Sequence, residues 1–239
     1  MKKNFNLDLV NRFLDSIFPL SECFGVTCSE EDGEDFTDRH IFEDAIGAVD
    51  PDAKLTWGMS KMVIDSPSLD FVIKIPFNGY YSETYYEDGD NDELEWCDFY
   101  EAPTEDGYDY CLVEFEKFKE LSKRGLSLFV ANTIFYREIQ NFRVFLQEKV
   151  NPVFYSGDGI PSKVSKKIAL KWKKEKGYHA IDSTWIANCI DYYGAKKTEK
   201  FLNYCYNEDY DIISDCHNGN YGYREDGSPA LLDFSGFFG

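Results

Sequence analysis

Two spacings of apolar residues alternate along the chain, and the longer one predicts helices. Apolar positions recur every three to four residues near Leu7–Phe18 and again near His40–Ile46, as on the buried side of an amphipathic helix. Leu112, Phe115, Phe118 and Leu121 give the same pattern within the segment that begins at Tyr110. Two more apolar segments predict buried helices, Trp185–Tyr193 and Thr198–Tyr206.

The shorter spacing, in runs rich in β-branched and aromatic residues, predicts strands. Such runs occupy Phe71–Pro76, Leu126–Ile139 and Asn141–Val150. Near the end of the chain, Ile212–Ser214 is interpreted as a short apolar strand that enters a loop, and Tyr221–Tyr223 leaves that loop. A turn signal at Asp226–Pro229 then leads into the apolar run Ala230–Leu232. Helices and strands together predict an α+β protein.

The order of these elements predicts three segments. Residues 1–50 form a helical extension, residues 51–150 a strand-rich lobe with one helix, and residues 151–239 a helical lobe that ends in a hairpin. The second segment contains an acidic insert at residues 83–109, where like charges repel and favour a mobile loop. No internal repeat is apparent.

Composition excludes several classes of protein. A chain of 239 residues with 43% hydrophobic and 17% aromatic content can bury a substantial core. No apolar stretch approaches the roughly 20 residues of a membrane span, and the start of the chain lacks a signal-peptide core, so a cytoplasmic protein is expected. Seven cysteines without a C-x-x-C pattern, and three histidines, favour neither a disulfide framework nor a zinc cluster.

The formal net charge of -19 argues against direct binding of nucleic acid, because phosphate backbones are bound by basic surfaces. Lysines nevertheless cluster after residue 160. Two interpretations are open for this cluster: a solvated helical face, or a docking surface for an anionic substrate or partner. Its members are Lys163, Lys166, Lys167, Lys171, Lys173, Lys174, Lys176, Lys196, Lys197 and Lys200.

The most informative motif lies near the end of the sequence. Asp215, His217 and Asn220 are spaced as Asp-x-His-x-x-Asn, and Asp233-Phe234-Ser235-Gly236 follows at a hairpin's distance. This pair of motifs resembles the kinase-like phosphotransferases, especially the aminoglycoside and choline kinase branch. The resemblance implies that Asp215, with His217 in the same loop, is catalytic and orients an acceptor hydroxyl. It also implies that Asn220 and Asp233 hold Mg²⁺ on the phosphates of ATP.

The resemblance further implies a phosphate-binding lysine and a carboxylate that anchors it. Lys74, inside an apolar strand, is the candidate lysine, although a lysine there can also point to solvent. Glu114 is the candidate anchor on the following helix, with Glu116 as its rival. Gly58 opens a segment that would cover the phosphates, although a glycine at a strand end is also typical of an ordinary turn.

By the same resemblance, Gln147 lies behind the adenine pocket and the hinge runs from Glu148 to Val150. The same residues are also compatible with an ordinary strand that ends at Asn151-Pro152. The implied fold is bilobal, with an antiparallel-sheet N-lobe and a reduced helical C-lobe, since the sequence stops three residues after Gly236. Ser214 stands where protein kinases have an arginine, which fits the small-molecule branch.

Three functions are compatible with these residues. The first is an ATP-dependent transfer of a phosphoryl group to a hydroxyl acceptor, either a protein or a small molecule. The second is transfer of AMP by a kinase-like protein. The third is a non-catalytic acidic decoy that inhibits a basic partner through its carboxylate surface.

Overall fold

The structure is a computed structural model with an α+β fold. It describes residues 6–23, 39–57, 61–76, 79–81, 84–85, 94–95, 99–101, 109–153, 161–214, 216 and 219–235. The α-helices within these ranges are α1 (Leu7–Ile17), α2 (Arg39–Val49), α3 (Tyr110–Lys123), α4 (Lys163–Lys176), α5 (Ser183–Tyr193), α6 (Ala195–Asn207) and α7 (Asp211–Ser214). The first seven strands are β1 (Lys54–Trp57), β2 (Lys61–Asp65), β3 (Phe71–Pro76), β4 (Gly79–Tyr81), β5 (Thr84–Tyr85), β6 (Leu94–Glu95) and β7 (Phe99–Glu101). The others are β8 (Thr133–Ile139), β9 (Phe142–Glu148), β10 (Asn151–Pro152), β11 (Tyr221–Tyr223) and β12 (Pro229–Leu231).

Packing divides the chain into two compact units. Unit 1 comprises Met1–Leu112 and Ile134–Gln147, and unit 2 comprises Val113–Thr133 and Glu148–Gly239. The division of the chain into segments at residues 50 and 150, which the order of the elements predicts, stays a prediction.

Unit 1 is built on a five-stranded antiparallel sheet with the strand order β1-β2-β3-β9-β8. β2 lies between β1 and β3, and its Val63 is paired with Lys74. β8 and β9 are joined by Gln140 and Asn141, both with positive φ, as a two-residue hairpin with the right-handed twist of a sheet requires. Although β9 is late in sequence, it is an inner strand of the sheet.

The helices α1 and α2 pack in the same apolar core as this sheet, which confirms both predicted helices. Asn6 begins α1, where its side-chain oxygen accepts a hydrogen bond from the N–H of Leu9 at 3.2 Å. The buried face of α1 includes Val10, Phe13 and Ile17 at helical spacing.

Unit 2 is mainly helical, and α5 and α6 confirm the two buried helices that the sequence predicts. α4 begins at Ser162, whose hydroxyl accepts from the N–H of Ser165, and it ends at Gly177 in the left-handed conformation. The core contains Trp185, and Phe129 stacks on Phe201 with ring centroids 4.4 Å apart. Trp185 also contacts Tyr221 in the small sheet β10-β11-β12, with ring centroids 6.4 Å apart.

Two strand predictions are wrong in part or in whole. The predicted strand Leu126–Ile139 begins only at Thr133, because Ser127–Phe129 is a 3₁₀-helix. Its apolar residues Phe129 and Val130 are fully buried in the helical core, so their hydrophobicity serves packing between helices. The predicted strand Ile212–Ser214 lies in α7 for the same reason, since Ile212 and Ile213 face that core.

Two short strand pairs include residues of the acidic insert, while the predicted mobility of the insert stays a prediction. β4 pairs with β7 and β5 pairs with β6, both antiparallel, while most of residues 83–109 lie outside the described residues. Asp109 begins α3, where it accepts from the N–H of Leu112 at 2.8 Å and pairs with Arg143 at 3.3 Å. Burial raises the pKa of the Asp109 carboxyl, and these hydrogen bonds counteract that effect.

The cysteines that the structure describes with their side chains lie in the interior of the protein. Cys111, Cys189, Cys205 and Cys216 are free thiols and buried. Burial raises the pKa of the Cys189 and Cys205 thiols well above the usual value, which keeps both protonated. In the part of the chain that the structure describes, no helix combines the length and the apolar character needed to cross a membrane.

Candidate functional site

The hairpin β11–β12 carries the two candidate metal ligands. Tyr221 is paired with Leu231 and Tyr223 with Pro229, so the strands are in register through their whole length. The turn closes at Gly227, which has a φ of +82° and donates its N–H to the carbonyl of Arg224 at 2.8 Å. The predicted turn between two short strands is therefore confirmed at this position.

Asn220 and Asp233 lie together at the open end of this hairpin. The carbonyl of Asn220 accepts a hydrogen bond from the N–H of Leu232 at 2.7 Å and a longer one from the N–H of Asp233 at 3.4 Å. Both residues are half-buried. The backbones of the residue with the amide and the residue with the carboxylate are therefore adjacent.

The segment after Asp233 restrains its carboxylate. The hydroxyl of Ser235 donates to Oδ1 of Asp233 at 3.0 Å, and Phe234 between them is buried in the core of unit 2. A buried aromatic side chain fixes the backbone on which the carboxylate is mounted. Both neighbours of Asp233 therefore reduce its conformational freedom before any ligand binds.

The residues fit Mg²⁺ by the chemistry of their donors. Among the described residues, no three or more His, Cys, Asp or Glu side chains lie together as a metal site. One carboxylate and one amide are nevertheless a donor set of the kind that Mg²⁺ uses, since it is bound by few protein oxygens and completes its octahedron with phosphate and water.

Arg224 is a positioning residue that the sequence pattern did not reveal. It lies directly after β11, and its guanidinium donates to Oε2 of Glu148 at 3.0 Å. The same group donates to the carbonyls of Leu128 at 3.1 Å and Val130 at 2.8 Å, and to the hydroxyl of Tyr193 at 3.1 Å. The guanidinium of Arg224 therefore connects the hairpin of Asn220 and Asp233 to Glu148, at the start of the predicted hinge.

The predicted hinge begins where β9 ends. The N–H of Glu148 donates to the carbonyl of Asn132 at 2.8 Å, and its carboxylate pairs with Arg224, each side chain less than a fifth exposed. Val150 is buried in a small apolar cluster with Ala131 and Ala230. The role of Glu148 and Val150 in binding adenine stays a prediction.

Lys74 lies in unit 1 on β3, an inner strand of the sheet, and its side chain is only 4% exposed. This excludes the interpretation of Lys74 as a lysine on a solvated face. Gln147, also in unit 1, is 1% exposed at the end of β9. A buried ammonium group requires polar or anionic partners, and the role of Lys74 in binding phosphates stays a prediction.

Glu114 lies in unit 2 on α3 and is fully buried, whereas Glu116 is exposed and pairs with Lys119 at 2.9 Å. The buried stripe of α3 therefore includes Cys111, Glu114 and Leu121, while the apolar Leu112 is only half-buried. This distribution favours Glu114 over its rival. Lys74 and Glu114 belong to different units, and their pairing stays a prediction.

Three candidate residues lie outside the described residues: Gly58, Asp215 and His217. β1 and β2 flank Gly58 as an antiparallel pair, and Ser214 ends α7 just before Asp215. The predicted roles of these three residues therefore rest on the sequence motifs.

Comparisons with models of protein families, with curated proteins and with solved structures find no match. The chemistry of the candidate residues has to be inferred from their types, spacing and surroundings.

Proposed function

We propose that the protein is a kinase-like phosphotransferase that moves the terminal phosphoryl group of ATP to a hydroxyl acceptor. One observation supports the proposal above all: the hairpin β11–β12 holds Asn220 and Asp233 together through the carbonyl of Asn220. Asn220 closes the Asp-x-His-x-x-Asn motif and Asp233 opens Asp-Phe-Ser-Gly. Backbone hydrogen bonds from Leu232 and Asp233 to Asn220 thus bring together two motifs that resemble phosphotransferase motifs.

Each candidate residue has a role in this proposal. Asp215 accepts a hydrogen bond from the acceptor hydroxyl and orients its oxygen, with His217 in the same loop. Lys74, anchored by Glu114, binds the phosphates as a cation whose burial strengthens its electrostatic effect. Gly58 lets the backbone approach a phosphate, while Gln147, Glu148 and Val150 bind the adenine end.

Asn220 and Asp233 would hold Mg²⁺, which neutralises negative charge on the phosphates when it is bound. The chain's own contribution is to hold the backbones of these two residues next to each other. Ser235 holds one oxygen of Asp233, and the hairpin ladder sets the distance between the two backbones. A preformed pair of ligands lowers the cost of ordering the site when ATP binds.

The proposal is tested by the effect of ATP on thermal unfolding. We expect Mg²⁺ with ATP at 100 times its dissociation constant to stabilise the wild type by about 2.7 kcal/mol, since only the folded state binds. Asp233→Ala should lose most of this stabilisation. Glu225→Ala is the matched control, because it removes one carboxylate from the exposed turn of the same hairpin. Equal stabilisation of all three proteins would contradict the role of Asp233.

Transfer itself is followed with labelled ATP and a cell lysate. Label on the γ-phosphate should reach an acceptor, and label on the α-phosphate should not. Transfer of the α-label would instead assign AMP transfer to the same residues. If ATP neither stabilises the protein nor transfers either label, the phosphotransferase is excluded and the acidic decoy is left.

A further inference from the structure

Helix α4 has a charge opposite to that of the protein. Its 14 residues include seven lysines and one glutamate, whereas the chain as a whole has a formal net charge of -19. Only part of this positive charge is used within unit 2. Lys173 donates to the carbonyl of Ile181 at 2.7 Å, Lys176 pairs with Glu199, and Lys171 lies 3.7 Å from Glu175.

The outer face of α4 combines these lysines with exposed apolar side chains. Ser165, Ala169 and Trp172 face the core, and on the other side Val164 is 67% and Leu170 is 59% exposed. These are the two most exposed of the large apolar side chains among the described residues.

The neighbours of Leu170 on the helix surface are all lysines. Side chains three and four residues apart are adjacent on a helix. At these distances from Leu170 the sequence has Lys166, Lys167, Lys173 and Lys174. Leu170 is therefore an exposed apolar centre within a ring of four lysines.

This arrangement does not stabilise the helix. Lysines four residues apart, such as Lys163 with Lys167 and Lys167 with Lys171, repel each other, and an exposed leucine gains nothing from burial. Among the described residues, no ion pair involves Lys163, Lys166, Lys167 or Lys174 that would offset the repulsion. Binding of an anionic partner would offset it.

We propose that the outer face of α4 is a docking surface for a short acidic segment of a partner protein. An apolar side chain of that segment covers Leu170, and its carboxylates pair with the surrounding lysines. A segment that forms an amphipathic acidic helix along α4 would make these contacts, because its apolar and acidic residues would lie three and four positions apart.

The charge of the rest of the molecule favours a short segment over an extended polyanion. α4 is about 21 Å long, and charges are screened beyond about 8 Å at physiological ionic strength. A peptide of that length is attracted by α4 and is largely screened from more distant acidic surface. Nucleic acid or an anionic membrane extends further and meets the carboxylates that give the chain its negative charge.

The test is direct binding, without ATP, of a fluorescein-labelled synthetic peptide. Its 14 residues carry a central leucine with glutamates three and four positions away on both sides, which is complementary to α4. The protein variants are Leu170→Ala and the double variant Lys167→Glu with Lys174→Glu. The matched control is Lys196→Glu with Lys197→Glu, which makes the same change of charge on exposed positions of α6. Circular dichroism and the thermal midpoint show whether each variant is folded.

We expect the double variant on α4 to bind the peptide at least about tenfold more weakly, because two attractive pairs become repulsive. Leu170→Ala should weaken binding about threefold or more through lost apolar contact, and the α6 control should change it less than threefold. Affinity should fall as salt is added.

The proposal is overturned if the wild type does not bind the peptide, or if both double variants lose affinity equally. It is also overturned if vesicles containing phosphatidylserine or a 20-base-pair duplex bind through Lys167 and Lys174 more tightly than the peptide does. Self-association that the α4 variant abolishes in sedimentation experiments would assign the face to a second copy of the chain. Because ATP is absent, these outcomes do not depend on the proposed phosphotransfer.

Discussion

Arg224 has more polar contacts than its place in a short loop would indicate. Its guanidinium is hydrogen-bonded to a carboxylate, a tyrosine hydroxyl and several carbonyl groups, and its side chain is only 16% exposed. Carbonyl oxygens that lose such a donor inside the protein have no water to replace it. The residue thus links the hairpin to the end of β9 and to the 3₁₀-helix before β8.

The first prediction concerns the stability that this guanidinium contributes. Arg224→Met should lower the free energy of unfolding by about 3 kcal/mol, because it leaves Glu148 without its cation in a mostly buried position. Urea unfolding followed by circular dichroism measures the change. Arg124→Met is the control: that side chain is 39% exposed and pairs with Glu120 and Glu208 at the surface, so it should cost less than about 1 kcal/mol. Similar losses in both variants would disprove the special role of Arg224.

Tyr193 gives a prediction for alkaline pH. Burial raises the pKa of its hydroxyl to about 12, and the hydroxyl donates to the carbonyls of Leu128 and Pro229. In the unfolded chain a tyrosine has a pKa of about 10. The stability due to this shift is therefore complete below about pH 10 and is lost as the pH rises through about 12.

Replacing this hydroxyl should make the loss of stability with pH less steep. Between pH 10 and 12, Tyr193→Phe should reduce the slope by up to about 1.4 kcal/mol per pH unit, which corresponds to one proton. Urea unfolding at several pH values gives the slope. An unchanged slope in Tyr193→Phe would show that its hydroxyl titrates as it does in the unfolded chain.

At the scale of elements, β10 and β11 approach so closely that only glycine fits at position 222 of β11. Gly222 is paired with Pro152, and a Cβ atom at Gly222 would lie 2.6 Å from the carbonyl carbon of Asn151 and 2.9 Å from Cα of Pro152. All these atoms belong to the backbone, so no side-chain rotation can relieve the contact. The position of the whole hairpin depends on this approach.

Gly222→Ala should therefore destabilise unit 2 by about 2 to 3 kcal/mol and displace β11 from β10. The displacement would move Asn220, so the stabilisation by Mg²⁺ and ATP should fall as well. Gly47→Ala is the control in α2, where a Cβ would meet no atom within 4 Å and where alanine should stabilise the helix by up to about 1 kcal/mol. Thermal unfolding of both variants distinguishes a steric effect at Gly222 from a general effect of replacing glycine by alanine.

The elements with a regular pattern were predictable from the sequence. β3, with its single lysine, and the amphipathic helix α3 follow from apolar spacing alone, and the turn around Gly227 follows from its turn residues. The proximity of Asn220 and Asp233 followed from the hairpin that these signals imply. Local chemistry determines each of these features.

The remaining features depend on contacts between distant parts of the chain. The sequence predicts a strand at the isoleucines of α7, because a run of three apolar or small residues has no distinct period that would indicate a helix. Glu114 replaces an apolar residue in the buried stripe of α3, which spacing alone does not reveal. Arg224 binds carbonyls almost a hundred positions earlier in the sequence, so no local signal could identify it.

For the whole molecule, the net charge of -19 predicts a response to salt. Repulsion among like charges destabilises the compact state, and salt between 10 and 150 mM shortens the screening length from about 30 Å to about 8 Å. We expect the thermal midpoint to rise by about 2 to 4 °C, as for a gain of about 1 kcal/mol in a protein of this size. Equal ionic strengths of NaCl and KCl should give the same rise. A fall would mean that attractive pairs such as Lys117 with Asp209 outweigh the repulsion.

The path of the chain between its two units also has a consequence for synthesis on the ribosome. The chain leaves unit 1 after Leu112 and returns at Ile134 to supply β8 and β9, and β9 lies between β3 and β8. Until that hairpin has been translated, β3 is the edge of a three-stranded sheet, with open hydrogen-bonding groups that can pair with other chains. During synthesis, unit 1 therefore cannot complete its sheet until β8 and β9 have been translated. These strands follow residues 113–133, which already belong to unit 2.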